Sequence, residues 1–143
     1  MTSFPMKRWI ALLGCSAAFA AAHAAGPGMS KEEASAEKAR IEADYKAQRS
    51  ACDSLSGNAK DICVEEAKGK EKVAKAELDY RRDATAKNQD KVAEAKAEAQ
   101  YAVAKERCDD LAGDQKDVCV KEAKAVKSKA EADAKSARRA SAG

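Results

Sequence analysis

The chain has 143 residues, of which 36% are charged, 45% hydrophobic and only 4% aromatic. Its formal net charge of +3 comes from 27 basic and 24 acidic residues, which makes no strong electrostatic case for nucleic acid, whose binding needs a clustered basic face. Beyond residue 24 there is no His, Trp or Phe, and Leu, Ile and Val together number twelve, too few for a conventional globular core.

Residues 1–24 read as a secretory signal peptide. Lys7 and Arg8 form a basic start, Trp9 to Ala22 an apolar middle, and Ala22-His23-Ala24 a small-x-small cleavage site that makes Ala25 the first mature residue. A membrane span needs about 20 apolar residues, so no transmembrane segment is expected in the mature form. A competing reading takes Leu12-Leu13-Gly14-Cys15 as a lipobox, with Cys15 carrying lipid. Removing Lys7 and Arg8 with the leader takes the net charge from +3 to +1. Residues 25–35 are expected to form a flexible N-terminus.

More than half of the remaining chain is Ala, Glu, Lys, Arg or Leu, a bias typical of long helices and coiled coils. The chain also repeats itself at a shift of 56 residues. Tyr45 falls on Tyr101, Cys52 on Cys108, Asp53 on Asp109, Leu55 on Leu111 and Gly57 on Gly113. Lys60 falls on Lys116, Asp61 on Asp117 and Cys63 on Cys119. Shared composition would align Ala and Lys, but not four Cys, two Gly and two Tyr. Two helical hairpin units follow, at 36–87 and 92–143.

In the first unit Ala34, Ile41, Tyr45, Gln48, Cys52 and Leu55 share one helical face; in the second Ala97, Tyr101, Ala104, Cys108 and Leu111 do. Ser56-Gly57-Asn58 and Ala112-Gly113-Asp114 then punctuate each unit, with Gly suited to ending one helix and Asn58 or Asp114 to capping the next. Asp61 and Asp117 are placed in the first turn of the following helix, where negative charge is favourable. Four helical segments are expected, at roughly 30–56, 59–85, 88–112 and 115–139.

Cys52 lies five residues before Gly57, and Cys63 five after Asn58. On antiparallel helices both stand roughly 7.5 Å from the turn, level with each other. This favours local disulfides, Cys52–Cys63 and Cys108–Cys119. A helix running straight through the glycine would instead separate each pair by about 16 Å. Links between the units, Cys52–Cys119 and Cys63–Cys108, would then form. Four cysteines allow three connectivities.

An exported chain with an even number of cysteines points to structural disulfides. Ten residues between partners is not a redox C-x-x-C spacing, and zinc sites usually bring ligands two to four residues apart, so no cofactor or metal is expected. No phosphate loop or nucleophile elbow is present, and no enzyme is expected. Tyr45, Tyr80 and Tyr101 read as packing residues. From Lys121 onward seven basic residues face Glu122, Glu131 and Asp133, an excess that could meet an anionic envelope polymer.

The Ala-Lys-Glu texture of Lys91 to Ala104 resembles the helical stalk of the envelope protein TolA. The doubled units IEADYKAQRSACDSLSGNAKDICVEEAKGKEKVAKAEL and YAVAKERCDDLAGDQKDVCVKEAKAVKSKAEADAK are more specific. They resemble a group of small exported bacterial proteins termed TolA-like, over roughly residues 36–135. The resemblance implies envelope residence and no activity. Those proteins commonly carry Pro or Gly between the units; here Arg82-Asp83-Ala84-Thr85-Ala86-Lys87-Asn88 has neither. The second and third helices could therefore fuse.

The expected fold is all-α, built of antiparallel helical hairpins clamped by disulfides. An elongated form with a fused central helix is preferred over a four-helix bundle, because few large side chains are available to fill a core. The expected function is a non-enzymatic periplasmic structural or partner-binding module. Its partner would be an envelope protein or polymer, with self-association through Ala-rich helix faces also open to it. The alternative is a thiol-based redox or metal-responsive periplasmic factor.

Overall fold

The structure is a computed structural model that describes residues 28–141. The leader, Cys15 and residues 25–27 lie outside the described residues. Four helices follow: α1 (Lys31–Ala51), α2 (Gly57–Arg82), α3 (Ala86–Cys108) and α4 (Gly113–Ser141). A short 3-10 turn, Cys52–Ser54, continues α1. The fold is all-α, in antiparallel hairpins, with both local disulfides formed.

The start of α1 is fixed by a capping box. Ser30 accepts from the backbone N–H of Glu33 at 3.1 Å, and Glu33 accepts from the backbone N–H of Ser30 at 2.9 Å. Two orphan N–H groups are thus satisfied, and the carboxylate lies at the positive end of the helix. Lys31 to Ser35, the later half of the segment expected to precede the helices, belong to α1.

The fused central helix is not found. Asp83 at φ −146°, ψ 97° is extended and ends α2. Thr85 then caps α3 by accepting from the N–H of Asn88 at 3.2 Å, while the Asn88 amide donates to the Asp83 carbonyl at 2.9 Å. A Thr cap and an Asn clasp do here what Gly or Pro does elsewhere.

The break lets α2 and α3 fold back on each other, and theirs is the most extensive helix pairing. Among the described residues α1 packs on α2 and α4 on α3, so α1 and α4 are the outer helices of an open array. With neighbours antiparallel, both disulfides lie at the same end.

The helices meet through small side chains. Buried positions include Ala34, Ile41, Ala67, Gly69, Leu78, Ala95 and Ala97. Ile41, Ala34 and Leu78 form one cluster between α1 and α2, supported by Met29 and Ala74. Between α2 and α3 the decisive contact is Gly69 on Ala99. A Cβ built on Gly69 would stand 2.8 Å from the Ala99 Cβ and 3.4 Å from its Cα. The backbones approach there as closely as they can, which recovers dispersion contact that Ala side chains cannot reach at wider spacing.

Ion pairs mark the same register. Arg81 meets Glu37 at 2.7 Å across α1 and α2; Lys96 meets Glu77 at 2.8 Å and Arg107 meets Glu66 at 3.3 Å across α2 and α3. Lys72 also pairs with Glu98 across that seam. Arg138 reaches Asp90 at 3.3 Å across α3 and α4. Hydrogen bonds from Arg40 and then Arg81 lower the Glu37 carboxyl from 4.5 to about 2.

Two outcomes are expected. Gly69→Leu, a better helix former, should still destabilise by about 1–3 kcal/mol in a thermal or urea melt, because the added side chain must part α2 from α3. A melting temperature equal to or above that of the unmodified protein would contradict the close approach. Glu37 has a depressed folded-state pKa, so its contribution is complete above pH 4.5 and is lost as pH falls toward 2. Between pH 5 and 2.5 the melting temperature should therefore fall less for Glu37→Gln than for the unmodified protein.

Candidate functional site

The feature that the chain builds twice is the disulfide end of each hairpin. Cys52 stands in the 3-10 turn after α1, and Cys63 lies within the second turn of α2. Their Cα atoms are 5.7 Å apart, as are those of Cys108 and Cys119. Cys52 and Cys108 are fully buried, while Cys63 and Cys119 are half-buried. The expected local pairings are those observed, and the crossed connectivity is not.

The glycine does its work one step later than the sequence suggests. Gly57 has φ +59° and Gly113 φ +57°, the left-handed region that side chains with a Cβ avoid. Each is the first residue of its following helix rather than the end of the preceding one. Ser56, not Asn58, occupies the N-cap position of α2, and it makes no side-chain capping bond. Asn58 instead donates its amide to the Glu106 carbonyl at 2.8 Å, tying the first turn of α2 to the last turn of α3. Asp114, expected as a cap, lies inside the first turn of α4, and Asp117 falls just past that turn. With α2 starting at Gly57, Asp61 falls just past its first turn. Because α1 and α3 end at Ala51 and Cys108, Leu55 and Leu111 leave the helical faces on which their spacing placed them. They are exposed, at 42% and 40%.

Each turn is also bridged by a salt link that residue typing did not anticipate. Lys60 meets Asp53 at 3.0 Å, and Lys116 meets Asp109 at 2.9 Å. The pairing holds the Asp109 carboxyl below the usual carboxylate range; at Asp53, Lys60 acts first and Arg49, at 3.2 Å, adds to it. The only sequence signal was that both partners recur at the 56-residue shift. Each turn therefore consists of a disulfide, a Lys–Asp bridge, a left-handed Gly and a projecting Leu. The Asn58–Glu106 bond and the Arg107–Glu66 pair bring the two turns to one end.

The three tyrosines do not gather. Tyr45 and Tyr80 line an open groove of about 650 Å³ in which α1 and α3 flank α2, with Arg40, Arg81 and Lys96 on its rim. Tyr101 faces α4, where the Lys127 ammonium lies 5.8 Å from its ring centroid. Of the basic residues after Lys121, Lys127, Lys129 and Arg138 are held in ion pairs with Glu98 and Glu131, with Asp133, and with Asp90 respectively.

Among the described residues no group of three or more His, Cys, Asp or Glu is arranged to hold a metal ion. No helix among them is long and apolar enough to cross a membrane. The chain matches no known family, curated protein or solved structure.

Unreduced tryptic digestion tests the site directly, since Lys60 and Lys116 each lie between the two cysteines of a turn. Ser50–Lys60 should appear linked to Asp61–Lys68, and Cys108–Lys116 to Asp117–Lys121. Links joining the two units would overturn the clamp geometry.

Proposed function

We propose that the chain is a non-enzymatic helical module of the bacterial cell envelope. It is exported to the periplasm and acts as a structural or partner-binding element. The observation that carries this reading is the doubled turn. All four cysteines after the leader are committed to two disulfides, and one sulfur partner of each is shut from solvent. Buried disulfides that close short loops are a stabilising device of oxidising compartments, whereas labile regulatory ones are strained or exposed.

The chemistry at this end supports presentation rather than reaction. Leu55 and Leu111 project from rigid turns, and the acidic groups around them, Asp53 and Asp109, are neutralised by lysines across the turn. A pair of apolar knobs on fixed backbone is suited to docking, since little ordering is left to be done on contact. The leader and the TolA-like texture supply the compartment in this reading.

One preparation tests both parts. Protein released from the periplasm is alkylated without reduction, and its intact mass and N-terminal sequence are determined. The expected result is a chain starting at Ala25 with no cysteine alkylated. A chain starting at a lipid-bearing Cys15 would replace the export reading with the lipoprotein one. Alkylated Cys63 or Cys119 in freshly released protein would abandon the structural role in favour of thiol chemistry.

A further inference from the structure

The face of α1 that points away from α2 is not what a solvent-facing helix surface should be. In a helix with charged residues on both flanks, Ala36, Ala39, Ala43, Ala47 and Ser50 form a continuous uncharged stripe, all exposed. An outer helix ordinarily puts its charges opposite its packing face. The 56-residue repeat identifies this stripe. It is the counterpart of the α3 surface that packs on α2, with Ala43 in the place of Ala99 and Arg40 in the place of Lys96.

The matching half lies on the other outer helix. On α2 the surface that meets α3 carries Glu66, Gly69 and Glu77. Their counterparts on α4 are Glu122, Ala125 and Asp133, and all three are exposed. Val118, on the same side of α4, is 52% exposed. Each end of the array thus presents one side of a contact that the chain already makes in its middle.

We propose that α1 of one copy packs on α4 of the next, repeating the α2–α3 seam between molecules. Ala43 would oppose Ala125 as Ala99 opposes Gly69, and Arg40 would pair with Asp133 as Lys96 pairs with Glu77. The occupant of each outer face is a second copy of this chain. The inference rests on the structural-module reading and gives it a partner. The contact is heterologous, so a pair of copies leaves one face free at each end, and growth past the dimer follows. It is also looser than the seam it copies. Ala125 replaces the closely packed Gly69, Lys129 stands where α2 has Val73, and Ala47 stands where α3 has Val103. Assembly is therefore reversible and dependent on concentration.

Two variants that each add one cysteine, Ala43→Cys and Ala125→Cys, test the contact. After mild oxidation a mixture of the two should yield disulfide-linked dimers joining one variant to the other. Each variant alone should stay uncrosslinked, with the native clamps confirmed by the tryptic map. No cross-link in the mixture, or equal cross-linking in either variant alone, would overturn the proposal. Sedimentation supplies a second readout without added thiols. The mass of the unmodified protein should rise with concentration beyond two copies, and Ala43→Glu, on an exposed position, should abolish that rise. A mass fixed at one copy, or one that Ala43→Glu leaves unchanged, would also overturn it. Either failure removes self-assembly while leaving the thiol content and N-terminus, and so the module reading, as they stand.

Discussion

The fold depends on how closely two alanine-rich helices can approach. Burial of a Leu or Ile stabilises by about 1.5–3 kcal/mol, and this chain has few such residues to bury. An Ala face offers much less area, so it must gain through contact of backbone with backbone. The Gly69–Ala99 crossing is where this is most developed. It explains why α2 and α3, which belong to different repeats, form the most extensive pairing. Ile41 and Leu78 secure α1 to α2, and Val73 and Val103 flank the Gly69–Ala99 crossing. The disulfides supply what remains. Each closes a loop of eleven residues, and loops of this size contribute roughly 2–4 kcal/mol, a large share of the stability of a small domain.

Charge selects the register more than it stabilises. The pairs across the helices are largely exposed, where an ion pair contributes about 0–1 kcal/mol. Ala surfaces offer few features beyond the Gly69–Ala99 fit, however, so packing alone resists a slide by a turn weakly away from that crossing. Arg81–Glu37, Lys96–Glu77, Arg107–Glu66 and Arg138–Asp90 penalise such slips at every interface of the array. The Asn58–Glu106 bond adds a directional anchor at the disulfide end. Small faces set the spacing, and charged flanks set the position along it.

The all-α class, the duplication and the paired cysteines were legible because each rests on a pattern that composition cannot imitate. Helix content follows from propensity, and the disulfides follow from equal distances either side of a glycine. What was not legible is tertiary. The break after Arg82 was hidden because Thr85 and Asn88 end and restart a helix without Gly or Pro. The α2–α3 seam was hidden because one Gly among many Ala carries no signal of the backbone it faces. Leu55 and Leu111 were misplaced by periodicity alone. Their spacing extends the helical stripe, but the backbone leaves the helix just before them, and Leu55 itself is extended.

The two copies share the residues that build the turn and differ in several donors that cross the α2–α3 seam. Five features of the turn are the same in both: the cysteines, Asp53 and Asp109, Leu55 and Leu111, Gly57 and Gly113, Lys60 and Lys116. The seam positions are mixed: Glu66, Glu98 and Ala99 recur as Glu122, Glu42 and Ala43, while three donors differ. Asn58, whose amide crosses to α3, has Asp114 as its counterpart, and an Asp carboxylate has no proton to donate to a carbonyl. Lys72, paired with Glu98, becomes Ser128; Arg107, paired with Glu66, corresponds to Ala51. The cysteines, the Lys–Asp bridge, the glycine and the Leu of the turn thus recur unchanged, while the seam donors Asn58, Lys72 and Arg107 do not. The turn is made twice, and in each copy the same disulfide, Lys–Asp bridge and left-handed glycine accompany an exposed Leu.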